Sequence, residues 1–186
     1  MIVCGTQRLI LRSWHRDDRP LFRLLNADPD VMAFFPFRRT HEESDAMMER
    51  INAMIEATGY GLYAMQDRHS GEALGFCGIA PVSFEGVFAP ATMEIGWRLL
   101  PRFWGKGYVT EAAKALLAMA FDERRLAEIV SFAVKDNERS IAVMKRIGLR
   151  RDPARDFNHP RVCQDTHPHL RPHVTYTLTL DEWRMR

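Results

Sequence analysis

Residues Pro101 to Ala113 read PRFWGKGYVTEAA, two glycines around a lysine where an apolar strand ending at Leu100 hands over to a helix. Val109, Ala112, Ala113, Leu116, Leu117, Ala120 and Phe121 keep the i, i+3, i+4, i+7 spacing of one buried face, so that helix begins near Tyr108. A helix amino terminus offers unpaired N–H groups and positive charge, and glycines let the backbone come close to an anion. Arg102 and Lys106 add charge on either side, and Phe103 and Trp104 offer apolar contact. Two well-known phosphate loops do not fit. A P-loop requires glycine where Leu100 stands and Ser or Thr where Gly107 stands. The dinucleotide fingerprint requires a small residue at Thr110 and a parallel strand–helix–strand unit, whereas an antiparallel meander precedes this turn. The turn by itself is either an anion site or an ordinary corner.

Outward from the turn, the chain has 186 residues, 46% of them hydrophobic, which suits one core and reads as a single domain over 1–186. Basic and acidic residues nearly balance, 26 against 24, so no strong field gathers nucleic acid or an anionic membrane. The opening MIVCGTQRLILR has no long apolar run and meets charge at Arg8, so neither a secretory signal nor a span is expected and the location is read as cytoplasmic. Cys4, Cys77 and Cys163 are far apart and read as reduced thiols.

Alternation predicts a strand over Thr6 to Trp14, followed by a helix that Pro29 interrupts. Thr40 and Glu43 form a capping box for a helix whose apolar face is Met47, Ile51, Met54 and Ile55, ending before Gly59. Two apolar runs split by Asp67 to Gly71 read as a hairpin, and a third strand, ATMEIGWRLL, follows the loop Ser83 to Pro90. After the glycine turn and its helix come the strand AEIVSFAV, a helix NERSIAVMKRIG capped by Asp136 or Asn137 and stopped by Gly148, a long Pro-, His- and Arg-rich loop, and the strand HVTYTLTL. The expected fold class is α/β of the α+β kind, a mixed and mostly antiparallel sheet with helices on both faces.

The stretch RFWGKG resembles the Arg/Gln-x-x-Gly-x-Gly/Ala signature of the GNAT superfamily of N-acetyltransferases. EIGWRLLPRFWGKGYVTEA is similar to its ribosomal-protein N-terminal acetyltransferase-like branch. NERSIAVMKRIGLR looks like that branch's Asn-x-x-Ser helix ending in Gly-Phe, with Leu149 in place of the Phe. The resemblance covers nearly the whole chain. It implies acetyl-CoA as cosubstrate, no metal, and an amine acceptor, either a peptide N-terminus or a metabolite. The oligomeric state, a homodimer included, is left open. It further implies that the backbone around Arg102, Gly105, Lys106, Gly107 and Tyr108 cradles the coenzyme A diphosphate. The main chain of Trp97, Arg98, Leu99 and Leu100 would run beside the pantetheine arm, with Asn137 hydrogen-bonded to it.

Acetyl transfer to an amine needs a neutral amine, a polarised carbonyl and a proton for the leaving thiolate, but no protein nucleophile. Glu94, on the strand before the turn and on the same face as Gly96 and Arg98, is the leading candidate base, and the competing reading is a solvated carboxylate paired with Arg98. Its replacement by Gln is expected to lower turnover most at low pH. Ser140 is the candidate acid, because the tyrosine that many superfamily members carry one turn later is Met144 here; the bland reading is a capping hydroxyl. His159 is the alternative base. His159, Cys163, His167, His169 and His173 match no zinc spacing. Glu111 is read as a complement to the helix dipole, Arg150 and Arg151 as solvated, and Trp14, Phe34, Phe35 and Phe37 mostly as core. A non-catalytic acyl-CoA-binding or regulatory module of the same fold would keep the turn and show no turnover. A protein-interaction domain with an ordinary corner would bind no coenzyme A.

Overall fold

The computed structural model describes residues 1–84 and 86–186; Glu85, within the expected loop Ser83 to Pro90, lies outside the described residues. In chain order the elements are β1 (Ile2–Gly5), β2 (Leu9–Arg12), α1 (Arg19–Ala27), α2 (His41–Thr58), β3 (Gly61–Asp67), β4 (Ala73–Pro81) and β5 (Met93–Leu99). Then follow α3 (Tyr108–Ala118), β6 (Glu128–Val134), α4 (Glu138–Arg146), β7 (Arg150–Arg151), β8 (Phe157–Asn158), β9 (Pro172–Thr179) and α5 (Leu180–Arg184). The class is the expected one, mixed α/β with a mostly antiparallel sheet. The residues form two compact units, Met1–Ala80 with Gly96–Leu116, and Pro81–Ile95 with Leu117–Arg186, so β5 and α3 each contribute to both.

In the first unit β1, β2, β3 and β4 are successive antiparallel neighbours, and the carboxyl half of β5 lies next to β4. Leu9, Leu11, Tyr63 and Met65 point inward and are fully buried, and Phe22, Leu25, Met48, Ile51 and Ile55 of α1 and α2 complete this core. The capping box of Thr40 and Glu43 forms as expected, and Gly59 closes α2 in the left-handed conformation at φ 72°. Trp14 is a core residue whose indole N–H donates to the Leu62 carbonyl at 2.8 Å, whereas Phe35 and Phe37 are exposed, against the expectation of packing. Met54 is also exposed, because the buried face of α2 runs through Ser44, Met48, Ile51 and Ile55 and is rotated from the expected one.

In the second unit β5 meets β6 in parallel at Glu94 and Val130, and Ser131 Oγ donates to the Ile95 carbonyl at 2.9 Å beside that pair. β6 pairs antiparallel with β9 from Glu128 opposite Thr179 to Val134 opposite His173, and β7 and β8 both pair with β9. The long loop expected before β9 therefore contains two short strands held by that edge. The helix after the glycine turn ends in a π-helical turn, Met119–Glu123, which the regular apolar spacing did not reveal. Trp183 of α5 stacks on Phe121 at 5.5 Å and donates to Asp122 Oδ1 at 2.7 Å, fastening the last helix to that turn.

β4 and the carboxyl half of β5 come close together at Gly75, where an added Cβ would lie 2.2 Å from the Arg98 carbonyl oxygen and 2.8 Å from Leu99 Cα. Both are backbone atoms and can move only if the strands part. Gly75→Ala is expected to lower Tm by about 3–10 °C, read by thermal denaturation; an unchanged Tm would show that the two strands separate at no cost.

Candidate active site

The glycine turn lies in the first unit. Gly105 and Gly107 adopt φ of 74° and 79°, the left-handed region that side chains disfavour. A Cβ at Gly105 would meet nothing within 4 Å, and one at Gly107 would meet only Arg8 Nη2 at 3.5 Å. Packing against protein thus does not require glycine at 105; the conformation does, and it leaves open space beside the first turn of α3, whose leading N–H groups have no acceptor within the helix. The residues present therefore suit a phosphate-bearing ligand. Trp104 Nε1–H donates to the Leu99 carbonyl at 2.7 Å and holds the loop back on β5. Arg102, expected as a free flanking charge, is paired with Glu72 at 2.7 Å and lies over Phe103.

Glu111 does more than complement the dipole. Its Oε1 accepts from Thr6 Oγ1 at 2.5 Å and from the Arg8 N–H at 2.8 Å, and its Oε2 accepts from Arg8 Nε at 2.6 Å. Burial works against its charge, but these hydrogen bonds outweigh it and hold the carboxyl below its usual range. Arg8 also donates to the Lys106 carbonyl at 3.0 Å and lies 4.7 Å over the Tyr108 ring, so one arginine braces the turn from both sides. Arg8 was not among the residues singled out in sequence, where it reads as a charged position in a strand.

Arg98 is largely surrounded by protein, and its Nη1 donates to Asn26 Oδ1 at 2.6 Å instead of pairing with Glu94. Leu99 and Leu100 are buried, and the Leu100 N–H donates to the Leu74 carbonyl at 3.3 Å.

Glu94, Asn137, Ser140 and His159 lie in the second unit. Among the described residues the Glu94 carboxyl has no hydrogen-bond or ion-pair partner, and burial pushes its pKa up to about 8. Glu94 is half-buried and the expected pairing with Arg98 is absent. Strand register places Glu94, its pair Val130 and, two residues on, Phe132 on one face. Phe132 belongs to a cluster with Phe84, Phe88, Phe157, His159 and His173, with ring centroids 4.9–6.3 Å apart where they touch, an apolar surface no motif announced.

His159 is the member that sequence reading had proposed as a base. Burial, then His173 and Arg161, pull its pKa down to about 4, and its Nδ1 accepts from the Arg161 N–H at 3.2 Å. Its basic lone pair is thus engaged, leaving Nε2 to carry the proton of the neutral ring. Asn137 caps α4, accepting from the Ser140 N–H at 3.1 Å through Oδ1 and leaving its amide N–H groups available. The Ser140 hydroxyl has no partner among the described residues, and Met144 is buried in the core, so no acid stands one turn later.

The acetyltransferase (GNAT) domain family matches residues 8–150. The uncharacterised protein YkkB of Bacillus subtilis is 34% identical over 157 residues, covering 83% of this chain and 90% of that protein. The FsC-acetyl coenzyme A-N(2)-transacetylase of Aspergillus fumigatus is 31% identical over 186 residues, covering 96% of this chain and 76% of that protein. RimL, a ribosomal L7/L12 alpha-N-protein acetyltransferase solved with coenzyme A, shares the fold at TM-score 0.76 and 16% identity over 98% of this chain and 99% of that chain. The chain belongs to the GNAT family of acetyltransferases and is an N-acetyltransferase.

A carboxyl whose folded pKa lies above its unfolded value destabilises the fold as pH rises from the unfolded pKa, about 4.3, toward the folded one, about 8. Glu94→Gln removes that penalty, so the variant should match the native chain at pH 4, below the unfolded pKa, and exceed it in Tm at pH 9. Equal Tm values at both pH values would mean that Glu94 is solvated.

Proposed function

We propose that residues 1–186 act as one domain that transfers acetyl from acetyl-CoA to a primary amine, a protein N-terminus or a small amine, by direct attack. The observation that carries this reading is the open glycine turn at the amino end of α3, with positive φ at both glycines and space where a Cβ would sit. Acetyl-CoA supplies an activated thioester. Backbone N–H groups around Gly105 to Tyr108 take its diphosphate, Lys106 adds charge, and the main chain of Trp97 to Leu100 and the Asn137 amide serve the pantetheine arm as the resemblance implies. Glu94 removes the proton of the ammonium, directly or through a water, so that the neutral amine forms the C–N bond while the C–S bond breaks; Ser140 hands a proton to the departing thiolate and is reprotonated, through water, by the second proton that the nitrogen loses as the amide forms.

His159, with Nδ1 engaged and its basicity lowered, is the weaker base of the two. The raised pKa of Glu94 also changes the pH dependence expected from sequence. Below about pH 8 the native carboxyl is itself protonated, so the defect of Glu94→Gln should widen as pH rises instead of being greatest at low pH. The variant should bind acetyl-CoA normally and lose about 10²-fold or more in kcat at pH 9, measured by thiol release; full activity there would pass the role to His159 or to water.

Calorimetric titration with acetyl-CoA, with adenosine diphosphate and NAD as controls, tests the donor. Micromolar binding of acetyl-CoA alone is expected, and Gly107→Val, which forces a β-branched residue to φ 79°, should abolish it. No binding to the native chain would remove the donor assignment.

A further inference from the structure

Arg98 is a cation without a counterion. Several other arginines of its unit meet carboxylates, Arg12 with Asp18 at 2.6 Å, Arg23 with Asp45 at 2.5 Å and Arg8 with Glu111 at 2.6 Å, whereas the half-buried Arg39 shares with Arg98 the lack of one. Arg98 has instead a neutral amide, Asn26 Oδ1 at 2.6 Å, and two aromatic faces, Phe35 at 4.4 Å and Phe76 at 5.4 Å. Among the described residues no carboxylate lies within ion-pair distance of it. Asn26 is fully buried and its Nδ2 donates to the Phe22 carbonyl at 2.9 Å, which fixes the amide with its oxygen toward the guanidinium. A neutral residue thus occupies the place where an internal counterion would stand.

The arrangement is costly for the free protein, since a charge drawn out of water without an opposite charge is destabilising. Burial, with Arg39 as a second nearby cation, lowers the pKa of Arg98 to about 10. A guanidinium keeps its charge there at neutral pH. Asn26 takes one of its N–H donors, and the remaining ones suit a planar carboxylate. Phe35, against Arg98, and Phe37, 6.3 Å from the Phe35 ring, expose 40% and 46% of their surface, and Arg39 lies 4.8 Å over the Phe37 ring.

We infer that Arg98 receives a carboxylate of the acceptor, with Phe35 and Phe37 contacting the apolar part next to it, so that the acceptor is a small amine that also carries an acid. This rests on the acetyltransferase reading above.

The test is calorimetric titration of the full chain with 3-phenylpropionate and with 3-phenylpropionamide, alone and with saturating acetyl-CoA. The acid should bind, the amide should not, and the acid should bind equally with acetyl-CoA present. Arg98→Met should weaken the acid by about 10-fold or more. Asn26→Asp supplies the missing counterion while keeping the guanidinium, and it should weaken the acid likewise; it decides the matter if Arg98→Met does not fold. Equal binding of acid and amide, or unchanged acid affinity in the variant that folds, would overturn the inference. So would exclusion of the acid by acetyl-CoA, which would give Arg98 to the donor's phosphates. Arg98-dependent acid binding in a chain that binds no acetyl-CoA would keep the anion site and discard the enzymatic reading, so the two failures are separable.

Discussion

The carboxylate of Glu111 is the fixed point of the glycine turn. It gathers a hydroxyl, a backbone N–H and a guanidinium N–H from Thr6 and Arg8, and so ties the first turn of α3 to the hairpin of β1 and β2. The ion pair within that group is partly exposed, and pairs of that kind contribute about 1 kcal/mol or less. Its value is geometric. A backbone cradle for an anion works only if its N–H groups are held in place before the ligand arrives, and Arg8 completes this by donating to the Lys106 carbonyl while lying across Tyr108.

In the second unit a different principle governs. His159 belongs to a cluster of aromatic rings and Glu94 shares a strand face with one of them, Phe132, and desolvation moves the two in opposite directions on the pH scale, the acid to about 8 and the imidazole to about 4. Both are therefore largely uncharged at neutral pH. An acid that stays protonated until the medium turns mildly basic is matched to amines, which also shed their proton on the basic side. The imidazole, with Nδ1 already accepting a hydrogen bond, suits a structural or donor role better than proton removal.

Much of this was legible from residue order. The helix after the turn, the capping box at Thr40, the hairpin around Asp67 and the Asn137 cap all follow from local rules, since each depends on neighbours within a few positions. What escaped depends on distant partners. β1 is only four residues long and becomes a strand by pairing with β2; β7 and β8 are two residues each and exist because β9 offers an edge. The rotated face of α2, the Arg8–Glu111 contact and the ring cluster around Phe132 likewise join residues far apart in the chain. At the site the glycines were legible because they act through their own backbone, whereas the isolation of Glu94 and the engagement of Arg102 by Glu72 are facts of three-dimensional company.

The hairpin that braces the turn also makes donor affinity and local stability two sides of one equilibrium. Whenever β1 and β2 fray, Glu111 loses its three donors and the turn its support, so in its proposed donor role the turn would hold a diphosphate only with the hairpin closed. By linkage, whatever occupies the cradle must suppress that fraying in proportion to its own saturation. Slowed amide hydrogen exchange along Ile2 to Arg12 would then be a signature of occupancy at a site to which most of those residues contribute no atom.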